Sequence, residues 1–356
     1  MTTPDFVQVL NYYKKLLWPA ISKELDHLKN FPDYCQLTPK YQSIIDFHFD
    51  MVSDYPKRQG KYIRPSLLLL TAQAMGADLK LCLNTAAAMQ ISEDWILSHD
   101  DVEDQSDQRR GQPALQKIYG DHLAINAGDA LHVLMWQVLA QNFSLLPLKV
   151  AQKIHQEFFI MLSRTILGQT IEIKWIEDNR FDLTESDVLL ISESKTGYYT
   201  IAGPMRLGAI LAGATTKQLA SLYDFGIALG CAFQITDDLL DLTSTFSGLK
   251  NQLGNDIYEG KRTVMLVHLL HHLDAKNKTK LVQILSRPRS QKTPADILWV
   301  IDQMNQVGSL DYSRQLATKF SQQAVKIFDT KLKFLSRSPF RDQLRSGIDF
   351  ITHRNH

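Results

Sequence analysis

Two stretches of the chain carry acids at a repeated spacing, LSHDDVED at residues 97–104 and QITDDLLD at residues 234–241. Each follows an apolar run of helical period, so Asp100 and Asp104 fall one turn apart on a shared face, with Asp101 beside them. Asp237 and Asp241 repeat the pattern with Asp238 adjacent, and Gln234 extends that stripe back by a turn. One such cluster ordinarily ends a solvated helix. Two of the same spacing, each preceded by residues of buried character (ILS, CAF), pose a different problem: crowded carboxylates repel, and burial raises the cost of their charge. They call for cations. Hard divalent ions suit them, since magnesium takes one or two carboxylates and leaves positions for water and phosphate. Two acid faces opposed across a cleft would hold several such ions around a diphosphate.

A diphosphate also needs basic partners, and these stand near the acids: Lys61 and Arg64 in GKYIRP, Arg109 and Arg110 in SDQRRGQP, Lys195 in SKTGYY, and Lys261 with Arg262 in YEGKRT. Arginine offers forked contacts to phosphate and lysine a point charge. Any one of them alone reads as surface charge; their recurrence beside glycines and acid clusters makes them candidate phosphate ligands. His99 stays outside the ligand set, because magnesium prefers oxygen and a lone histidine is more often a packed residue.

The elements that must position these side chains are helices. Apolar residues recur at threes and fours, and between Pro113 and Pro204 the only proline is Pro147. Helices are predicted at 65–77, 83–99, 121–141, 149–174, 186–212 and 217–242. After the surface loop SRPRSQKTP, further helices are predicted at 295–307, 309–336 and 339–353. The fold class is therefore all-α. A single-domain helical bundle is expected over 1–356, with a core at about 40–270 and a C-terminal helical extension at about 271–356.

Composition narrows the function. The net charge of +1 over 356 residues argues against nucleic acid as a partner. Cys35, Cys82 and Cys231 lie far apart among apolar neighbours, which suits reduced core thiols and a cytoplasmic address. The amino terminus lacks the pattern of a signal peptide, and no uninterrupted apolar run approaches the ~18–20 residues of a membrane span.

Taken together, the motifs resemble those of the trans-isoprenyl diphosphate synthases, the polyprenyl synthetase family. GKYIRP is similar to its glycine-lysine…arginine-proline motif, HDDVEDQSDQRRG to its first aspartate-rich motif and FQITDDLLD to its second. GDAL at 128–131, GQ at 168–169, KT at 195–196, GNDIYEGKRT at 254–263 and VGSLDYSRQLA at 307–317 resemble its other landmarks. The resemblance implies a homodimeric all-α bundle around a deep central cavity, condensing an allylic diphosphate with isopentenyl diphosphate. It implies that Asp100, Asp104, Asp237 and Asp241 hold three magnesium ions, with Asp101 and Asp238 in direct or supporting roles. Arg109, Lys195 and Lys261 would complete the cage of the allylic diphosphate, and Lys61, Arg64 and Arg110 would hold isopentenyl diphosphate. The allylic cation left by ionisation would meet the dipoles of Gln234, Thr196 and Gln169; the double bond of isopentenyl diphosphate would attack it, and the condensed cation would lose a proton to the departed diphosphate, so no protein base is required.

Product length should depend on what lies beneath the first cluster. Trp95 and Ile96 precede Asp100 by about one turn, roughly 7 Å along the helix. A ring there would floor the cavity; simple packing against a neighbouring helix is the plainer alternative. An aromatic residue at that position, before a first motif without a two-residue insertion, resembles the geranylgeranyl type, with farnesyl next and long polyprenyl products least expected. Two positions depart from the family pattern. Glu93 stands where His or Gln is usual near isopentenyl diphosphate, and the extra lysine after the second cluster has no counterpart among Asn251, Gln252 and Asn255, with Lys250 out of register. These departures keep open a non-catalytic subunit of a heteromeric synthase. A terpene cyclase is the other alternative, and the intact DDVED and DDLLD motifs and the Lys61, Arg64, Arg110 set argue against both.

Overall fold

Helical periodicity in the sequence becomes helix along nearly the whole chain. The computed structural model describes residues 5–29, 38–243 and 253–352, so Cys35, Lys250, Asn251 and Gln252 lie outside the described residues. The fold is all-α, as expected, apart from one small ribbon. The chain forms two compact units, each assembled from separated stretches: Met1–Glu157, Pro204–Thr215 and Leu335–Leu344 in the first, and Phe158–Gly203, Thr216–Phe334 and Arg345–His356 in the second.

The first unit contains α1 (Phe6–His27), α2 (Gln42–Arg58), α3 (Ile63–Met75) and α4 (Leu79–Glu103). There follow a ribbon of β1 (Gln108–Arg109) and β2 (Gln112–Pro113), then α5 (Leu115–Tyr119), α6 (Asp121–Ala140), α7 (Asn142–Leu145) and the start of α8 (Leu148–Glu177). Helix α4 carries the first acid cluster. Its middle, from Thr85 to Ser92, is buried on every face, and the run Ala86, Ala87, Ala88 lets α3 and α6 pack close on it. Asp78 caps its start, accepting from the Lys80 amide at 2.9 Å.

The second unit contains most of α8, then α9 (Glu185–Ser192) and a π-helical segment, Glu193–Ala202. Helix α10 (Gly203–Leu211) returns the chain to the first unit. Helices α11 (Thr216–Thr243), α12 (Asn255–Glu259), α13 (Val264–His272), α14 (Ala275–Leu285), α15 (Pro294–Gln306) and α16 (Ser309–Lys331) belong to the second unit. Helix α17 (Phe340–Thr352) closes the described chain. Where one helix was predicted at 186–212, the structure has three segments. Pro204 removes a backbone donor there, and the π-helical stretch lies against α11 so tightly that a Cβ on Gly230 would stand 2.2 Å from the Gly197 Cα.

One apolar core of the second unit runs on past residue 270. Ile235 of α11 and Met265 of α13 share one apolar core with Leu281, Val300 and Leu310 from the helices beyond it. Two segments, Asp121–Leu145 and Thr216–Thr243, are long and apolar enough to cross a membrane by length and composition, although neither is an uninterrupted apolar run. The second of them carries Asp237, Asp238 and Asp241.

Candidate active site

In the first unit the acid cluster closes α4, and its three aspartates meet different surroundings. Asp100 and Asp104 are half-buried, whereas Asp101 is fully enclosed. Both Asp101 carboxylate oxygens accept from Arg109 Nε, each at 3.0 Å, and Arg109 Nη2 and the Tyr55 hydroxyl also donate to that carboxylate. Asp101 therefore spends its oxygens within the protein. The same guanidinium lies 3.7 Å from the Asp100 carboxylate, so Asp101 fixes a positive charge beside the outward acid.

The ribbon that delivers this arginine is a two-residue hairpin, with Gln108 paired to Pro113 and Arg109 to Gln112. Its two turn residues, Arg110 and Gly111, both have positive φ, at 54° and 76°, as a turn matching the strand twist requires. Glycine meets that freely and arginine does not. Arg110 is held there by donation to the Tyr55 carbonyl at 2.7 Å and by an ion pair with Asp94 at 2.8 Å. Arg58 staples both strands, donating to the carbonyls of Arg109 at 3.0 Å and Pro113 at 2.9 Å.

Two turns back from Asp100 on α4, Glu93 answers the question its presence raised. It has turned onto cations, with one oxygen 3.2 Å from Arg64 and 3.8 Å from Arg110. Asp94 beside it is 1% exposed, and burial pushes its carboxyl up to about 6 against the pull of Arg110. Lys61 is exposed in the short connection before α3. Trp95 is buried and stacked on His132 of α6, with ring centres 4.1 Å apart and planes 15° apart. Trp136 donates its indole N–H to His132 Nε2 at 2.9 Å, which places the proton of the neutral imidazole on Nδ1. The ring thus does pack on a neighbouring helix, and it is locked there. Ile96 is half-buried.

In the second unit a cavity of about 130 Å³ is lined by Glu172, Lys195, Gln234, Asp237, Asp238 and Lys261, with Trp175 and Val188 among its apolar walls. Asp237 is exposed and Asp238 buried. Gln234 accepts from the Thr196 hydroxyl and donates to Asp238 at 2.8 Å, a relay from the π-helical segment to the acid face. Lys195 donates to Gln169 and pairs with Glu172. Lys261 pairs with Glu259 at 2.7 Å. Asp241, also buried, accepts from the backbone amide of Asp256 at 2.9 Å. Arg262, by contrast, is structural: it donates to the Arg180 carbonyl at 2.8 Å and lies over Phe181.

Several of these partners escape a reading of the sequence. Tyr55, Arg58 and Glu259 carry no signal of their own. Glu172 had one, lying three residues after Gln169 on the same helical face. Asp94 stood next to Glu93 in SEDW, inside a stretch too apolar to leave an acid unpaired.

Residues 47–304 match the family model described as polyprenyl synthetase. The chain is 32% identical over 297 residues to a short chain isoprenyl diphosphate synthase of Methanothermobacter thermautotrophicus, covering 83% of this chain and 87% of that protein. It is 32% identical over 274 residues to a geranylgeranyl diphosphate synthase of Sulfolobus acidocaldarius, covering 75% and 79%. It is 31% identical over 286 residues to an octaprenyl diphosphate synthase of Escherichia coli, covering 80% and 83%. In fold it is similar to a geranylgeranyl pyrophosphate synthase from Corynebacterium glutamicum complexed with isoprenyl diphosphate and magnesium, with a TM-score of 0.84, 22% identity and coverage of 99% and 100%.

Proposed function

The chain belongs to the polyprenyl synthetase family and is a trans-prenyl diphosphate synthase; from that premise we propose that it joins isopentenyl diphosphate to an allylic diphosphate with magnesium and stops at geranylgeranyl diphosphate. The observation that carries the reading is the second unit's cavity, where Asp237 and Asp238 share the walls with Lys195 and Lys261. Acids and bases around one small polar space suit a metal-bound diphosphate better than either charge alone. The donor set fits magnesium. Its members are carboxylate oxygens, which suit an ion that completes its shell with phosphate and water.

Asp100 and Asp104 are the residues to hold magnesium in the first unit and Asp237 in the second, where Asp238 is bonded to Gln234 and Asp241 of α11 is tied to the start of α12. Magnesium, when bound, supplies positive charge to the diphosphate as it leaves. In the second unit Lys195 and Lys261 stabilise that developing charge from fixed positions, which favours the transition state over the ground state, and in the first Arg109, kept in place by Asp101, holds a fixed positive charge beside Asp100. The Thr196 hydroxyl, the Gln234 amide and the Gln169 amide offer oriented dipoles without a strong nucleophile to the allylic cation. Lys61, Arg64 and Arg110 bind isopentenyl diphosphate.

The locked Trp95–His132 pair supports a floor beneath Asp100, with Ile96 beside it, and so a short product rather than an octaprenyl chain. Apolar side chains exposed on the first unit, with Val133 at 66%, Leu148 at 61% and Leu145 at 52%, support a homodimer that covers them. The buried free thiols Cys82 and Cys231 suit the cytoplasm.

The test is incubation of the purified protein with magnesium and isopentenyl diphosphate, offering dimethylallyl, geranyl and farnesyl diphosphates separately, with products identified by mass spectrometry. Geranylgeranyl diphosphate is expected, and Trp95→Ala should lengthen it by one or more isoprene units. No elongation from any primer would overturn the synthase reading in favour of a partner-dependent subunit. An octaprenyl product from the unaltered chain would overturn the floor.

A further inference from the structure

The arginines assigned to isopentenyl diphosphate already face acids. Arg64 and Arg110 share two carboxylates, Glu93 and Asp94, which leaves the pair close to neutral before any substrate arrives. The two acids are not equivalent. Asp94 is sealed from solvent and forms an ion pair with Arg110 Nη2 at 2.8 Å. It cannot reach a ligand; it aims the guanidinium. Glu93 keeps some exposure, with 13% of its side chain accessible, and its contacts are loose, at 3.2 Å to Arg64 and 3.8 Å to Arg110. Its second oxygen, Oε2, is buried without a hydrogen-bond partner among the described residues. Asp94 Oδ1 also lacks a hydrogen-bond partner among the described residues, so it is the longer contacts and the residual exposure that make Glu93 the more easily displaced acid.

We infer that Glu93 is an internal counter-anion of the isopentenyl diphosphate subsite, occupying Arg64 and Arg110 in the free enzyme until the incoming diphosphate displaces it. The inference rests on the assignment of Arg64 and Arg110 to that substrate. A diphosphate brings more charge and more oxygens than one carboxylate, so it wins the guanidinium groups. It wins them against competition, and Glu93 then remains as a like charge beside it. The consequence is a selectively raised KM for isopentenyl diphosphate. The allylic substrate, assigned to other cations, should not feel it.

Steady-state kinetics of Glu93→Gln, with each substrate varied at saturating levels of the other, read this out. The expected result is a fall of roughly tenfold in KM for isopentenyl diphosphate, as for removal of one adjacent like charge, with KM for the allylic diphosphate unchanged. An unchanged or raised KM for isopentenyl diphosphate would overturn the inference and make Glu93 a positioning residue for Arg64. Should the Gln variant fold poorly, Glu93→Ala removes the competitor equally and carries the same expectation. Arg64→Met separates the two claims. If it raises KM for isopentenyl diphosphate while the Glu93 variants fail to lower it, only the counter-anion role falls. If it leaves that KM unchanged, the assignment of the subsite falls and the counter-anion falls with it.

Discussion

The two acid clusters are nearly interchangeable as sequence and quite different as structure. In the first, the middle aspartate is the buried one: Asp101 is consumed by Arg109 and Tyr55, and Asp100 and Asp104 stand at its sides. In the second, the exposed acid is the first, Asp237, while Asp238 is bonded to Gln234 and Asp241 is tied to the start of α12. Spacing puts three acids near one face in both cases. Which acids are enclosed goes with elements distant in sequence: a hairpin beside Asp101 in one unit, a five-residue helix beside Asp241 in the other.

The sharpest way to break this comparison is to neutralise corresponding positions. Asp101→Asn leaves Arg109 and Tyr55 without their buried anion, and breaking such a pair costs about 3–5 kcal/mol. Denaturant unfolding should show that loss. If Asp101→Asn unfolds like the unaltered protein while losing turnover, Asp101 is a metal ligand and the division drawn between the clusters fails. Asp237→Asn should do the opposite. Its carboxylate is exposed, so stability should hold, while kcat at saturating magnesium falls on the order of 10²–10³-fold, the usual scale for losing one charge-stabilising group. Rates within a fewfold of the unaltered enzyme would remove Asp237 from the site.

How much of this was legible follows from the same contrast. The helices came from local periodicity, and α4, α6 and α11 begin and end within a few residues of expectation because their apolar patterns are strong. The acids and bases of the site were legible as types at a spacing. Their roles were not. Nothing near Asp101 in sequence says that a guanidinium eight residues on will fold back onto it through a turn with two positive φ values, or that Tyr55 on α2 will close the other side. The segment at 186–212 failed for a related reason. It is helical from Glu185 to Leu211, but Gly197, Gly203 and Pro204 break up its helical composition, and the π-helical stretch at Lys195 and Thr196 arises with packing against α11, which no window of the sequence contains.

Asp94 sharpens the comparison through pH, since the first region buries an acid whose carboxyl is raised to about 6 while the second cluster leaves Asp237 in the open. A raised carboxyl favours the protonated folded state. Its contribution to stability is full below the ordinary carboxylate value and is lost as pH rises through about 6. Relative to Asp94→Asn, the unaltered protein should therefore lose on the order of 2–3 kcal/mol between about pH 4 and pH 7. Parallel stability curves for the two proteins would show that Arg110 fully compensates the burial.

The smallest expected effect is the most discriminating. Helix α12 begins at Gly254, which has no side chain to cap it, and the Asp241 carboxylate supplies the missing acceptor from α11 by taking the Asp256 amide at 2.9 Å. The resemblance to the family makes Asp241 a magnesium ligand; the geometry makes it a cap borrowed from another helix. Removing a cap costs about 1 kcal/mol, and α12 leads directly into Gly260 and Lys261. Asp241→Ala should thus lower stability by about that amount and raise KM for the allylic diphosphate a fewfold, by loosening Lys261, with kcat nearly kept. If kcat instead falls as steeply as in Asp237→Asn while stability is untouched, Asp241 releases the helix to hold metal during turnover. The second cluster would then have two working acids, like the first.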